Sequence, residues 1–477
     1  MINVERIIKI INELGFNTYT FDYSIYNNYI ERMYAWYKGY DAKFHRVSEW
    51  NGSKDIKYDK YRLNMAKHIC EDISTLVCNE NLNVFMDNNK EREFLLGYDE
   101  MSGILGQNDF WNELAKTFEI TCALGTGAFE IVVDDLLKIG DKVISNENSK
   151  IKIVGHDAFS IIPLSWDNTM KIKEVAFIDQ YKIKNDTFLD LRIHVLENGQ
   201  YVIYNKKLKC FGAGDFITYS ICNNDKILDK FETGSSVAWF SILKLPIINN
   251  FDIHSPLGAS VYGNSIDILK NIDDAFNTLC TEYRNGQKKV FYSKSMLNID
   301  PNTGKPVTPD DENRTVFYYV GDDLIANSSN VDNNLPIKEF NPDLRIEEIC
   351  RGINSGMNYL SSMCGLGNNF YNFDGSNVTK TATEVVSENS AMWRTIRKYE
   401  IALEKMLIDL FKSIIIVENT IHKSMYDENV NIAINFDTSI IEDKTKIRER
   451  ALAEVNAGIL SVEEYRAMYY ADGRRDN

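Results

Sequence analysis

The residues able to do chemistry in this sequence are acidic pairs, scattered histidines and cysteines, and two glycine turns. Asp134-Asp135, Asp273-Asp274 and Asp322-Asp323 offer the paired carboxylates that hydrolysis or metal binding employs, but in a chain with 69 acidic residues solvated pairs are the better account. His45, His68, His156, His194, His254 and His422 never fall at metal-ligand spacing, and the eight cysteines form no Cys-x-x-Cys pair. Gly125-Thr-Gly127 and Gly212-Ala-Gly214 read as turns, since neither stands between a parallel strand and a helix, where a nucleotide phosphate would sit. A phosphate loop, a His-Glu-x-x-His pair and a Gly-x-Ser-x-Gly nucleophile turn are all missing from the sequence. The expectation is no catalytic site, no cofactor and no metal. A hydrolase would require the acidic pairs to converge in one cleft.

Bulk properties narrow the classes further. At 44% hydrophobic residues and only 8 prolines, the chain can bury a large core and reads as ordered. Its net charge of -16 repels a phosphate backbone, so nucleic-acid gripping would need a local basic patch. The nearest candidates, residues 284–289 and 448–450, are short and read as solvated helix charges. Thiols scattered on apolar stripes point to synthesis in a reducing cytoplasm. The first residues read as a charged amphipathic helix rather than a secretory signal, and the most apolar stretches, 243–248 and 414–417, are far shorter than the ~20 residues of a membrane span.

Three regimes of patterning must position whatever functional residues exist. Helical periodicity marks residues 4–14, 25–37, about 60–78 and about 108–123. From about 127 to 249, short β-rich runs separated by Gly, Asn and Asp turns predict an antiparallel domain, with the clearest strands at 129–133, 150–154, 175–178, 188–195 and 201–204. Two helices then flank a small insert. The first, about 264–285, carries Ile266, Leu269, Ile272 or Asp273, Phe276 and Leu279 on a narrow stripe; the second, about 343–363, carries Ile346, Ile349, Ile353, Met357 and Leu360. Their other faces present Asp267, Lys270, Asp274 and Asn277, and Glu347, Glu348, Arg351 and Asn354. Such stripes suit helices held between neighbours in a ring, and suit an ordinary helical hairpin equally well. The insert reads as two strands, 288–293 and 315–320, followed by a polar connection over 321–342.

After the second helix comes Cys364-Gly-Leu-Gly-Asn-Asn-Phe-Tyr-Asn-Phe-Asp-Gly375, a loop of glycines and asparagines with three aromatics. Thr381 and Glu384 then form a capping-box pattern opening a helix to about 419. A helix of that length, ~57 Å at 1.5 Å per residue, needs packing along a large body or other subunits. A strand at 430–436 and helices over about 444–456 and 461–470 complete the pattern.

This loop and helix resemble the tunnel loop and following helix of portal proteins from tailed bacteriophages. Trp36-Tyr-Lys-Gly39, Arg62-Leu-Asn-Met-Ala-Lys67, Cys70-Glu-Asp72 and Glu80 are similar to the N-terminal signature of siphovirus-type portals from phages of Gram-positive hosts. Ser255-Pro-Leu-Gly-Ala-Ser-Val-Tyr262 running into Ile268-Leu-Lys-Asn-Ile-Asp273 resembles the approach to their first stem helix, and Lys380-Thr-Ala-Thr-Glu384 the start of their long helix. The matches run in family order across nearly the whole chain.

The resemblance implies an α+β portal fold. Residues 1–263 would be an α/β wing, 264–286 and 343–364 a two-helix stem, 287–342 a small β-containing clip, and 365–379 the tunnel loop. Residues 380–419 would be the long helix, and 420–477 a wing-return strand with a short helical crown. It implies a structural, non-enzymatic ring subunit, usually one of twelve, at a capsid vertex of the virion, made in the host bacterial cytoplasm. Double-stranded DNA would pass without sequence-specific binding during packaging and ejection. The terminase packaging motor and head-tail adaptor would dock on the ring, with major capsid and scaffolding proteins around it and no membrane involved. Channel-lining candidates are the charged and amide residues of the two helices named above and Asn368, Asn369, Phe370, Tyr371, Asn372, Phe373 and Asp374. The three aromatics either pack between subunits and touch passing DNA or bury under their own chain. Alternatives are another ring-forming head-tail connector or a hydrolase using paired carboxylates.

Overall fold

Ile7, Ile10 and Ile11 recur at helical spacing and build α1 (Val4–Glu13), whose buried side faces the helix that follows, α2 (Tyr23–Tyr37). Gly39, at φ +77°, breaks the helical run and turns the chain into a one-turn helix, α3 (Ala42–His45). There a hairpin begins, β1 (Arg46–Trp50) paired antiparallel with β2 (Asp55–Asp59). A computed structural model of the protein describes residues 4–16, 23–50, 52–78, 82–98, 102–134, 137–139, 142–144, 149–211, 218–221, 228–293, 300–304, 317–320, 337–373, 382–436, 452, 453 and 455.

The helix expected from about residue 60 starts later, as α4 (Met65–Val77). Asn64 takes a left-handed conformation (φ 56°), and the backbone amides of Tyr61 and Leu63 are hydrogen-bonded to a helix distant in sequence, so residues 60–64 cannot join α4. After β3 (Asn83–Met86), α5 (Asn89–Leu95) and α6 (Ile104–Gln107), α7 (Phe110–Leu124) packs against α4 and leads through Gly125 into β4 (Thr126–Asp134).

The β-rich region is antiparallel as expected, and it forms more than one sheet. A small hairpin joins β5 (Leu137–Ile139) to β6 (Lys142–Ile144), and β7 (Lys150–Asp157) pairs with β4. Then β8 (Ile161–Trp166), β9 (Ile172–Ile183), β10 (Asp186–Glu197) and β11 (Gln200–Phe211) meander as one sheet. The outer edge of β11 is shared by β12 (Thr218–Ile221) and β13 (Lys230–Glu232). A three-stranded sheet of order β14-β4-β7 is completed by β14 (Phe240–Lys244). Burial of Ile131, Ile153, Leu191, Ile193 and Phe240 joins both sheets to one core.

Next come α8 (Ile266–Asn285), β15 (Lys289–Ser293), β16 (Phe317–Val320), β17 (Ile337–Phe340) and α9 (Ile346–Met363). The stretch expected to be a polar connection over 321–342 thus contains a strand. Ile337 and Phe340 register with Tyr292 and Lys289, so β15 lies centrally, parallel to β16 and antiparallel to β17. Four residues held between Pro336 and Pro342 are too few to signal a strand by alternation.

The long helix is α10 (Ala382–His422), and β18 (Ile432–Asn435) returns to pair with β3. Residues 414–417 of α10 are four consecutive buried apolar side chains, the mark of a helix enclosed on all sides, and Phe411 meets Phe110 at 5.9 Å between ring centroids. Of the helix expected over 444–456, residues 452, 453 and 455 are helical. Its remainder and the helix expected over 461–470 lie outside the described residues. Among the described residues, no helix is long and apolar enough to cross a membrane.

Candidate functional site

α8 and α9 are fastened antiparallel along their length. At one end Arg345 forks onto Glu282 (Nε to Oε1 3.2 Å, Nη2 to Oε2 3.1 Å), which holds the Glu282 carboxyl below its ordinary range. Midway, Gly356 lies against Ile272, where an added Cβ would come within 2.9 Å of Cγ1. At the other end Cys364 lies beside Ser265, and burial raises its thiol pKa to about 12. Ile266, Leu269, Ile272 and Leu279 pack against Ile353, Met357 and Leu360 between these points.

The polar faces of the pair are engaged unevenly. Lys270 pairs with Asp267 at 2.8 Å and Arg351 with Glu347 at 3.4 Å, both along one helix, while Glu348 is exposed. Asp274 receives Lys60 at 2.7 Å, and Asn277 accepts the Tyr61 N–H at 3.2 Å. Asn354 accepts the Phe373 N–H at 2.7 Å. Residues 60–63 therefore lie along α8, and the loop after α9 folds back onto it.

Asp273 departs from the solvated pair expected with Asp274. It is buried, its Oδ1 accepting the Leu63 N–H at 2.9 Å and its Oδ2 lying 3.1 Å from His45 Nε2. The Asp41 N–H donates to His45 Nδ1 at 2.9 Å, so Nε2 carries the proton given to Asp273. Trp36, Tyr40 and Phe44 surround the imidazole. The signal was present in the sequence: a carboxylate beside the apolar stripe of α8 needs a buried partner.

In the loop, Gly365 (φ +78°) and Gly367 (φ +85°) turn the chain out of α9. Tyr371 donates its hydroxyl to Asp72 Oδ2 at 2.6 Å, and burial together with that carboxylate pushes the phenol pKa far up. Phe373 stands edge-on to Phe276 at 6.2 Å. Of the three aromatics, two thus pack on their own chain, whereas Phe370 is 38% exposed, as are Asn368, Asn369 and Asn372 in class. Asp374 and Thr381 lie outside the described residues, and so does the side chain of Glu384.

Sequence reasoning missed the most tightly held charge in the molecule. Glu130 on β4, fully buried, accepts from His156 Nε2 (2.9 Å), His194 Nε2 (2.9 Å) and Arg192 Nε (2.8 Å), and Arg192 continues to Asp179 at 2.6 Å. Burial alone would raise the carboxyl pKa; the two histidine hydrogen bonds and Arg192 overcome it and lower the pKa far below the ordinary range. The three donors come from two sheets, which no spacing in sequence reveals. A carboxylate so saturated has no lone pair free to act as a base, and among the described residues no group of His, Cys, Asp and Glu is disposed to hold a metal ion. The acidic pairs do not converge either: Asp273 lies against α3 and Asp134 pairs with Lys152, while Asp135, Asp322 and Asp323 lie outside the described residues.

The family model described as phage portal protein, SPP1 Gp6-like, matches residues 21–470 of the sequence. The chain belongs to this portal protein family. It is thereby a structural protein of the phage head-to-tail connection. Among solved structures, a chain in the neck of a native GTA particle computed with C12 symmetry shares 9% identity over 84% of this chain and 88% of its own, with a TM-score of 0.39, too low for argument. No curated protein matches the sequence.

The portal-like segments of the sequence prove to be fasteners. Asp72 holds the loop through Tyr371, and Lys67 bridges Glu71 and Glu119, the latter also bound by Tyr37. The run Ser255 to Tyr262 threads between elements: Gly258 N–H donates to Thr126 Oγ1 (2.8 Å), Ser260 N–H to Tyr29 Oη (2.8 Å), Val261 N–H to the Cys122 carbonyl (3.0 Å), and Tyr262 Oη–H to the Met33 carbonyl (2.8 Å). This portal protein thereby seats the start of α8 on α2 and α7 before the helix pair departs.

Proposed function

We propose that the chain is the ring subunit of a phage portal vertex, forming the channel through which DNA is packaged and ejected and the platform on which motor and adaptor dock. The observation that carries this is the order of elements in a chain of the portal family: a helix, a three-stranded insert, an antiparallel helix fastened to the first, an aromatic loop and a 41-residue helix. On this reading residues 1–263 are the wing, α8 and α9 the stem, 287–342 the clip, 365–379 the tunnel loop and 420–477 the return strand and crown.

The exposed acids of the helix pair, among them Asp267, Glu347 and Glu348, would give the channel a wall that does not hold phosphate. Phe370, exposed at the loop tip, is the aromatic left to meet a neighbour or passing DNA, by steric or backbone contact rather than base readout. Sedimentation velocity followed by negative-stain imaging tests the reading. Closed rings of about a dozen subunits with a central hole are expected of the family resemblance. Open filaments or a uniform dimer would overturn it.

A further inference from the structure

The hairpin β1–β2 is built as half of an interface. Except for Val47, every residue of both strands is exposed, so the ribbon has no core of its own and nothing in the chain covers it. A lone two-stranded hairpin is marginal in water. The register sorts its side chains by chemistry: Val47 opposes Tyr58 and Glu49 opposes Ile56 on one face, while Arg46, Ser48, Lys57, Asp55 and Asp59 share the other with Trp50. Ile56 and Tyr58 are 39% and 40% exposed on the apolar face, an uncovered patch of the kind that marks a protein contact. The base of the ribbon is rigid, because Tyr40 holds Asp59 and Lys60 holds Asp274 of α8.

A matching surface exists on the same chain. The outer face of α9 exposes Glu347, Glu348, Ser355 and Tyr359 around Gly352, a mid-helix glycine whose added Cβ would meet nothing within 4 Å. One turn on, Gly356 is explained by Ile272; nothing within the chain explains Gly352, and a glycine there weakens the helix unless another backbone comes close. Charge agrees. Residues 46–60 hold four basic and three acidic side chains, a local excess of one positive charge in a chain of -16, whereas the start of α9 is acidic.

We propose that the β1–β2 hairpin is an intersubunit arm whose Val47–Ile56–Tyr58 face lies across α9 of a second copy of this chain, at Gly352. The proposal rests on the ring reading above and specifies its contact. Such a contact joins unlike surfaces, so it propagates from subunit to subunit until the ring closes.

An oxidative cross-link on the full chain tests it. Ile56→Cys with Gly352→Cys in one chain is expected to give a ladder of disulfide-joined species on a non-reducing gel. Each single variant should give no ladder, which also controls for the native Cys350. In parallel, Ile56→Asp with Tyr58→Asp should convert rings to monomer with Tm unchanged, since both side chains are already in water in the isolated chain, while Ser48→Asp on the opposite face should leave rings intact. Wild-type rings with no ladder and no response to the double aspartate variant overturn the arm and leave the ring standing. A wild-type chain that stays monomeric and never ladders overturns the ring reading, and the arm with it.

Discussion

The β-rich region and the α8–α9 pair handle charge in opposite ways. In the former, Glu130 is taken wholly out of water and met by three donors from neighbouring strands, so the region is finished within one chain. In the latter, one side is packed and pinned by Asp273 while the other leaves Glu347, Glu348, Gly352 and Tyr359 open. The contrast separates a domain that folds for itself from one whose outer surface is shaped for something further. It also says where a substitution should be felt in the isolated chain and where only in an assembly.

The largest effect is expected at Glu130. Glu130→Leu leaves Arg192 and two histidines facing an apolar group, and breaking one side of a buried charge cluster costs about 3–5 kcal/mol. Urea unfolding at neutral pH would read it, with Glu130→Gln intermediate. The sign of the pH dependence follows from a folded pKa held below the unfolded one. The stabilisation is complete above the unfolded carboxylate pKa, about 4.3, and is lost as pH falls from there toward the folded value. An unfolding midpoint in the Glu130→Gln variant that falls with acid as steeply as in the wild type would remove the carboxylate from this role.

That cluster also marks the limit of what sequence conveys. Periodicity located α1, α2, α7 and the two paired helices within a few residues, because an apolar stripe is a local signal. It placed β4, β7, β10 and β18 as well, yet not β8, β14 or β17, which are short or carry apolar runs without alternation. The candidate site divided the same way. Asp267, Lys270, Glu347 and Arg351 lie on the faces the stripe assigned them, but Asp274, Asn277 and Asn354 are committed to contacts with residues 60, 61 and 373. Partners so far apart leave no trace in a local pattern, and the His45–Asp273 pair spans a still longer separation.

That pair gives the next effect in size. Asp273→Ala leaves the Leu63 amide and His45 Nε2–H buried without acceptors, at about 1–3 kcal/mol for each orphaned group. Proteolysis between α3 and α4 should rise with it, since residues 60–63 lose part of their hold on α8. If Asp273→Ala unfolds at the same urea concentration as Asp274→Ala, whose carboxylate is exposed, the burial argument fails.

A smaller and sharper comparison lies within α9. Gly356→Ala pushes a methyl group against Ile272 and is expected to cost about 1 kcal/mol, the low end of overpacking. Gly352→Ala meets open space and is expected to stabilise the isolated chain by up to about 1 kcal/mol through helix propensity alone. Equal signs for the two variants would mean that the crossing of α8 and α9 is not at Gly356.

The smallest effect concerns the loop, where two aromatics side by side should behave differently. Tyr371→Phe keeps the ring in place and removes only the hydrogen bond to Asp72, about 1 kcal/mol, whereas Phe370→Ala removes a side chain largely in water and should shift Tm by less than the error of a calorimetric scan. Hydrogen exchange over residues 365–373 separates them further: faster in Tyr371→Phe, because the loop loses its tie to α4, and unchanged in Phe370→Ala. A Phe370→Ala chain that is as stable as the wild type but packages DNA poorly would then place the role of that ring outside its own subunit, with a neighbour or with DNA. Unchanged packaging would leave the loop as the seal between α4 and α9 that Tyr371 and Phe373 already make it.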